Sequence, residues 1–360
     1  MTLRNTAFLF AALGLAACSS DPAAPADAGT PAPDTGATPA DTGAPTDTGA
    51  PRADTGVDAG APTDAGAADV PVVRRCNVHG GDSCFELPTV AVTANPGAGM
   101  APVAPDFSCD LPPVTTTTAP LSISGRVADF QTSTPVVGAT VGVFSGLEYL
   151  GAPLATALSD ATGAYTVTVP AGTMGPLSWR VTAPDTLDTY LVNDTGNLTR
   201  AAVTGSNRNS VTTTTAGLLT ALLGQSRQAG TGIVAGSAID CLRRPLIGVI
   251  ATLSSTSSRG TGNRPTFVAD AQVYYFSAAS GLPTSRNAAT MTNVTSTNGL
   301  YLSIQIPPSS TQTYYAQTWG FRAAADVARG AAGLSLLSEV PVKVLPDVLV
   351  TVNHEPLRAP

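Results

Sequence analysis

Two stretches of this chain repeat one pattern of strands and turns, and that repetition constrains the fold more than any other feature. Gly125-Arg-Val-Ala-Asp129 followed by Pro135-Val-Val-Gly138 has its counterpart in Gly236-Ser-Ala-Ile-Asp240 followed by Pro245-Leu-Ile-Gly248. Likewise Asp160-Ala-Thr-Gly-Ala-Tyr165 corresponds to Ser296-Thr-Asn-Gly-Leu-Tyr301. Asp and Pro close one strand, Gly bends the chain into the next, and a Gly before Tyr admits the positive φ of a hairpin. Around the turns, Leu121–Val127 and Ala139–Phe144 alternate apolar with small or polar residues at period two, as half-buried strands do. Tyr165, Val167 and Val169 share one face of the next strand, and Trp179, Val181 and Thr189–Val192 continue the series. The segment from Gly299 to Pro307 is one residue longer than that from Gly163 to Pro170. Its alternation predicts Leu300, Leu302, Ile304 and Ile306 on the apolar face with Tyr301 turned away, and a bulge or shifted pleat in one copy.

Read together, Gly-x-Val-x-Asp, Pro-[apolar]-x-Gly-Ala-x-Val and Ser-Asp-x-x-Gly-x-Tyr-x-[apolar]-x-Val-Pro resemble the carboxypeptidase regulatory-like domain. Residues 121 to about 192 match closely; residues 231–353 match more loosely, with Val249 where the first copy has Ala139. The resemblance implies a transthyretin-like β-sandwich of about seven strands, accessory and non-catalytic, sometimes binding carbohydrate or protein. The expected fold is therefore all-β. Two tandem transthyretin-like or immunoglobulin-like sandwiches, at 121–204 and 231–356, are joined by a linker at 205–230. In that linker Ser210 and the threonines at 212–215 offer N-caps to a short helix with Leu218, Leu219, Leu222 and Leu223 as its apolar stripe. The helix is expected to pack on a sandwich or in the groove between the two.

The N-terminal region has a different character. Arg4, an apolar run from Thr6 to Leu15 and Leu15-Ala-Ala-Cys18 have the layout of an export signal. The run is too short to span a bilayer, which takes about 20 apolar residues. The tetrad resembles the lipobox of bacterial lipoproteins, which implies removal of residues 1–17, lipidation of Cys18 and a membrane partner reached through that anchor. Two or more acyl chains hold a protein firmly. Ser19 in place of an acidic residue directs the resemblance toward the outer membrane of the cell envelope.

Residues 18–72 are Ala, Pro, Thr, Gly and Asp with few large apolar side chains. Such a segment cannot offset the backbone entropy of folding, roughly 1–2 kcal/mol per residue, and reads as a disordered tether. Nine aspartates from Asp21 to Asp69 face only Arg52, so the formal net charge of -7 belongs to this stalk. Lys343 is the only lysine. Phosphate binding needs clustered Lys and Arg, so nucleic acid is excluded as a partner. The Asp-Thr-Gly triplets at Asp34, Asp41, Asp47 and Asp54 match an aspartic-protease motif, but lack the flanking strands that hold two carboxylates face to face.

A lead-in segment at 73–120 carries Cys76, Cys84 and Cys109; with Cys241 they make an even set in an exported chain, which favours disulfides. Cys76 with Cys84 and Cys109 with Cys241 is one of three pairings. His79 and His354 are too isolated for a zinc site, and the sequence has no Gly-x-Ser-x-Gly elbow, phosphate loop or dinucleotide fingerprint. No metal, cofactor or catalytic residue is expected. The candidate ligand platform is aromatic: Trp319, Tyr314 and Tyr315, with Tyr274 and Tyr275, unless they pack inward as strand aromatics do. The functional expectation is a lipid-anchored envelope protein binding polysaccharide or another envelope protein. The alternatives are a structural stalk without a soluble ligand and an accessory subunit of a peptidase or other hydrolase.

Overall fold

The computed structural model describes residues 87–109, 115–195, 198, 200–259, 265–268, 271–285 and 293–356. The signal, Cys18, the tether, Cys76 and Cys84 lie outside these residues. After a short lead-in strand, β1 (Thr93–Ala94), the first copy builds β2 (Leu121–Asp129), β3 (Thr140–Ser145), β4 (Ala155–Leu158), β5 (Ala164–Val169), β6 (Leu177–Thr182), β7 (Thr186–Asp194), β8 (Ala202–Val203) and β9 (Arg208–Thr212). β4-β3-β6-β7 form one sheet; β2 with β5, β8 and β9 faces it. Alternate residues Ile123, Val141, Val143, Val167, Trp179 and Val181 meet between the layers.

Helix α1 (Thr213–Leu222) follows, and then the second copy: β10 (Gly232–Ala238), β11 (Leu246–Ile247), β12 (Ile250–Ser254), β13 (Gln272–Tyr275), β14 (Leu300–Ile306), β15 (Tyr314–Gly320), α2 (Ala324–Val327), β16 (Ser335–Val342) and β17 (Val348–His354). β13-β14-β10-β17 forms one layer and β12-β15-β16 the other. Val234, Leu253, Ala316, Val340, Val350 and Val352 fill the space between. The β-sandwich class expected from the sequence is the class observed.

The two sandwiches are not separate beads. β17 runs parallel to β10, from Ile233↔Leu349 to Ala238↔His354, and equally parallel to β7, from Val348↔Asp188 to Val352↔Val192. One sheet therefore crosses both copies in the order β13-β14-β10-β17-β7-β6-β3-β4. Without β17, β7 and β10 would each present unpaired backbone groups along the junction. Side chains clasp the same seam. The Tyr149 hydroxyl donates to Lys343 O at 2.6 Å and accepts from Lys343 N at 2.6 Å, while Asn193 Nδ2 donates to Asn353 O at 2.7 Å.

Helix α1 covers this junction. Thr212 is its N-cap, Oγ1 accepting from Thr215 N at 3.0 Å. Ala216 and Leu223 pack with Leu187, Ile233, Leu302 and Leu349, which come from four different strands and both copies. The predicted four-leucine stripe divides: Leu219 and Leu223 are buried, whereas Leu218 and Leu222 are exposed. The small side chains of Thr215 and Ala216 form the rest of the contact face, so the seam is narrower and rotated from the leucines alone.

The extra residue of the second copy is a bulge. β10 pairs Gly232 with Ile306 and Val234 with Ser303, so Ile304 and Gln305 together face Ile233, and Gln305 takes φ 62°. The bulge corrects the predicted apolar face. Leu302 and Ile304 lie under the helix, whereas Ile306 crosses to the sandwich interior beside Val234. Tyr301 does point to the opposite face from Leu302, but that face is also buried, because β14 sits inside a two-layer body.

The lead-in segment belongs largely to the second copy although it precedes the first. β1 pairs with β11, and Val92 and Ala94 are buried with Ala238, Leu246, Val249 and Leu337. A disulfide joins Cys109 to Cys241 with Cα atoms 5.4 Å apart, closing 132 residues. Such a crosslink contributes about 2–5 kcal/mol.

Candidate functional site

The matched turns are built on dense hydrogen-bond networks. In the first copy the Asp129 carboxylate accepts from Gln131 N at 3.0 Å and Thr132 N at 2.9 Å through one oxygen, and from Thr212 N and Thr215 Oγ1 through the other. It ties the turn between β2 and β3 to the start of α1. Burial alone would raise its pKa, but the hydrogen bonds from Thr132, Thr212 and Gln131 outweigh that and hold it below the usual carboxylate value. In the second copy Asp240 accepts from Leu242 N at 3.0 Å and Arg244 N at 2.8 Å, and its other oxygen takes Arg244 Nε at 2.8 Å and Asp106 N at 3.1 Å. Here the same turn is tied to the lead-in.

Next to each aspartate turn lies a matched hydroxyl. Ser159 Oγ donates to Val136 O at 2.6 Å and accepts from Ala139 N at 2.8 Å; Thr295 Oγ1 donates to Leu246 O at 2.8 Å and accepts from Val249 N at 3.0 Å. These groups stabilise turns. A carboxylate saturated by backbone N–H donors has few lone pairs left for a ligand.

The structure takes apart the predicted aromatic platform. Trp319, Tyr314, Tyr274 and Tyr275 are each no more than 5% exposed, and only Tyr315 is half-buried. They also face different ways. Tyr275 is buried with Ala251 and accepts from Ala251 N at 3.0 Å; Tyr314 joins the sandwich interior and donates to Pro307 O at 2.9 Å; Tyr274 lies in the cluster beneath α1. Tyr315, Gln317 and Trp319 alternate outward along β15, but Trp319 packs with Ile250, Phe321, Leu334 and the lead-in Leu87. Trp319 Nε1 donates to Gln317 Oε1 at 3.2 Å. Gln317 Nε2 donates to Glu339 at 2.8 Å, and Glu339 also accepts from Ser257 Oγ at 2.6 Å and Ser258 N at 2.7 Å. Leu87, Phe321 and Leu334, together with Ser257 and Ser258, thus cover this face of β15.

Two polar clusters escaped the sequence because their members lie far apart along the chain. Arg208 Nη2 pairs with Asp194 at 2.9 Å, Asp194 accepts from Trp179 Nε1 at 2.9 Å, and the guanidinium lies 4.0 Å from the Trp179 ring centroid. This closes one end of the first core with an ion pair and a cation–π contact, although the buried Arg208 Nε has no hydrogen-bond partner among the described residues. His354 has Nε2 2.7 Å from the Tyr301 hydroxyl and Nδ1 3.3 Å from Ser338 Oγ. Burial pulls its pKa down to about 3, so the imidazole is neutral. Ser338 and His354 resemble a nucleophile and base by type, but both are buried among strands at the base of the second sandwich. Gly236 leaves the space that the Tyr301 ring needs, since a Cβ there would stand 2.2 Å from it.

Among the described residues no group of three or more His, Cys, Asp or Glu could hold a metal ion, and no helix is long and apolar enough to cross a membrane. Neither a family model nor a curated protein matches the chain. Solved structures with local likeness include the TIE protein of Bacillus anthracis, at 8% identity and TM-score 0.21, covering 66% of this chain and 34% of that one. The chain thus spans about a third of the TIE protein's length. The shaft pilin SpaA of Lactobacillus rhamnosus GG is similar over 67% of this chain and 98% of its own, at 11% identity and TM-score 0.18. The 3-chlorocatechol 1,2-dioxygenase of Rhodococcus opacus 1CP matches 33% of this chain and 70% of its own, at 15% identity and TM-score 0.18. At such scores the architecture rests on the strands of this chain itself.

Proposed function

We propose that the chain is a lipid-anchored protein of the cell envelope, held at the outer membrane through Cys18, whose fused sandwiches serve as a non-catalytic binding unit. One observation carries the non-catalytic reading. Asp129, Asp240, Glu339, Asp194 and His354, the side chains best suited to acid–base chemistry, each hold a turn, a strand or an ion pair in place. The resemblance of the repeated motif to carboxypeptidase regulatory-like domains supports the same reading. Burial of Trp319 and its neighbouring aromatics favours a protein partner over a polysaccharide, because stacking on a sugar needs an exposed ring face.

The parallel β17 seam favours a second reading, a structural stalk protein without a soluble ligand whose fused sandwiches form one stiff unit. About 50 tether residues would add roughly 40 Å as a coil and up to about 150 Å as extended polyproline II. The anchor is tested by fractionating cells that express Cys18→Ser. Release of the variant into the soluble fraction, with the native protein retained in membranes, is the expected result; retention of the variant contradicts the anchor.

A further inference from the structure

The second sandwich shows one edge of the module occupied, and the first shows the equivalent edge bare. In the second, β11 pairs with β1, with Thr93 opposite Ile247 and Ala94 opposite Leu246. Just beyond, Asn95 N donates to Pro245 O at 2.8 Å and Asn95 Nδ2 donates to Thr297 O at 2.8 Å. With this strand in place Leu246, Gly248, Val249 and Ile250 are all buried. The same backbone path recurs in the first sandwich. Gly138 and Gly248 take φ 70° and 83°, and their N–H groups donate to Ser159 O and Thr295 O, both at 3.0 Å. Yet no strand of the described residues pairs with Val136–Val137, Val137 is 58% exposed, and Gly138 and Thr140 are exposed. Leu158, opposite Thr140 on the neighbouring β4, is 69% exposed.

We propose that the Val136–Val137 edge is a strand-addition site for an extended, uncharged segment of a partner protein, rich in small and β-branched residues. It rests on the reading of the sandwiches as a binding unit and names the partner's chemistry. The chemistry follows from the filled copy. Its occupant, Leu87–Asn95, carries no charge, and neither does the first copy's edge from Thr134 to Val143 or from Ala155 to Ser159. Pro135 and Ala161 correspond in the repeated motif to Pro245 and Thr297, whose carbonyls take Asn95 in the second copy, so an amide side chain at the end of the added strand completes the match. Main-chain hydrogen bonds supply affinity in this mode of recognition, and Val137 and Leu158 supply an apolar rim. A second copy of this chain is the poorer occupant, because its own β1 is already paired with β11 and the lead-in is tied down by Cys109–Cys241.

The probe is a synthetic peptide with the sequence of residues 87–97, added to the full chain, with backbone amide exchange as the readout. Saturable protection centred on the Val137 amide, absent with a scrambled peptide, is the expected result, because the amides of Val136, Gly138 and Ala139 already donate within the sandwich. Val137→Asp should weaken that protection at least tenfold, and so should Leu158→Lys, an exposed change that leaves the core untouched. Lack of protection at the Val137 amide with millimolar peptide overturns the site. So does protection confined to the second sandwich, or protection that grows with protein concentration without peptide, which would assign the edge to self-association. None of these failures bears on the anchor at Cys18.

Discussion

In the first sandwich the aspartate turn is tied forward to helix α1, and the outer edge beside it is open; in the second the same turn is tied back to the lead-in, and the outer edge is covered. The inner geometry hardly differs. Val127 N donates to Gly163 O at 2.8 Å in one and Ala238 N to Gly299 O at 2.9 Å in the other, while Gly163 N and Gly299 N donate to Asp160 O and Ser296 O at 2.9 and 3.0 Å. What separates the copies is what lies outside the module: Leu87–Asn95, the segment after Ser254, and the stretch around Phe321 and Leu334 cover the second copy only. The turn network thus specifies the module, and the added segments specify its surface.

The equivalence breaks most readily at the turn glycines. Gly163 and Gly299 hold φ 75° and 68°, and a Cβ would stand 2.4 Å from Val127 O and 2.6 Å from Ala238 O respectively. Gly163→Ala and Gly299→Ala should each cost about 3 kcal/mol or more in urea denaturation, combining left-handed strain with a backbone clash. Gly138→Ala, at φ 70° with nothing within 4 Å, should cost only about 1 kcal/mol. Tolerance of one of these two turn substitutions, Gly163→Ala or Gly299→Ala, and not the other would show that the two turns are not the same device.

A smaller effect separates the copies by pH. His354 belongs to the second sandwich alone, and its folded pKa of about 3 lies below the usual value of 6.5. A histidine depressed in this way binds its proton in the unfolded chain first. Its contribution is complete above about pH 6.5 and declines as pH falls toward 3, by at most about 1.4 kcal/mol per unit. The stability gap between the native chain and His354→Gln should therefore narrow between pH 7.5 and 5; a gap that does not change with pH would place the imidazole in contact with water.

The strands and turns were legible because they depend on local chemistry: Asp before a turn, Gly at positive φ, and alternation at period two; the hairpin expected at Gly163 is not formed, since β4 pairs with β3 and β5 with β2. The one-residue difference between Gly163–Pro170 and Gly299–Pro307 even announced the bulge, although its position at Gln305 decides which side of the sheet Ile306 takes. The parallel pairing of β17 with β7 was not legible, since Val348–Val352 meets Asp188–Val192 across some 160 residues with no local signal. The aromatic platform failed for a related reason. Trp319 and Tyr315 do share an outward face of β15, but long-range segments cover it, and alternation says nothing about what lies above a sheet.

The central claim is that β17 makes the two copies one folding body, and the chain's two tryptophans sit where they can test it. Trp179 lies in the first core and Trp319 in the second sandwich. In Trp319→Phe the remaining fluorescence follows the first sandwich, in Trp179→Phe it follows the second, and far-UV circular dichroism follows both. The account predicts that in each variant the fluorescence and dichroism transitions in urea coincide. Separate midpoints for the two probes, with one sandwich unfolding while the other persists, would contradict it.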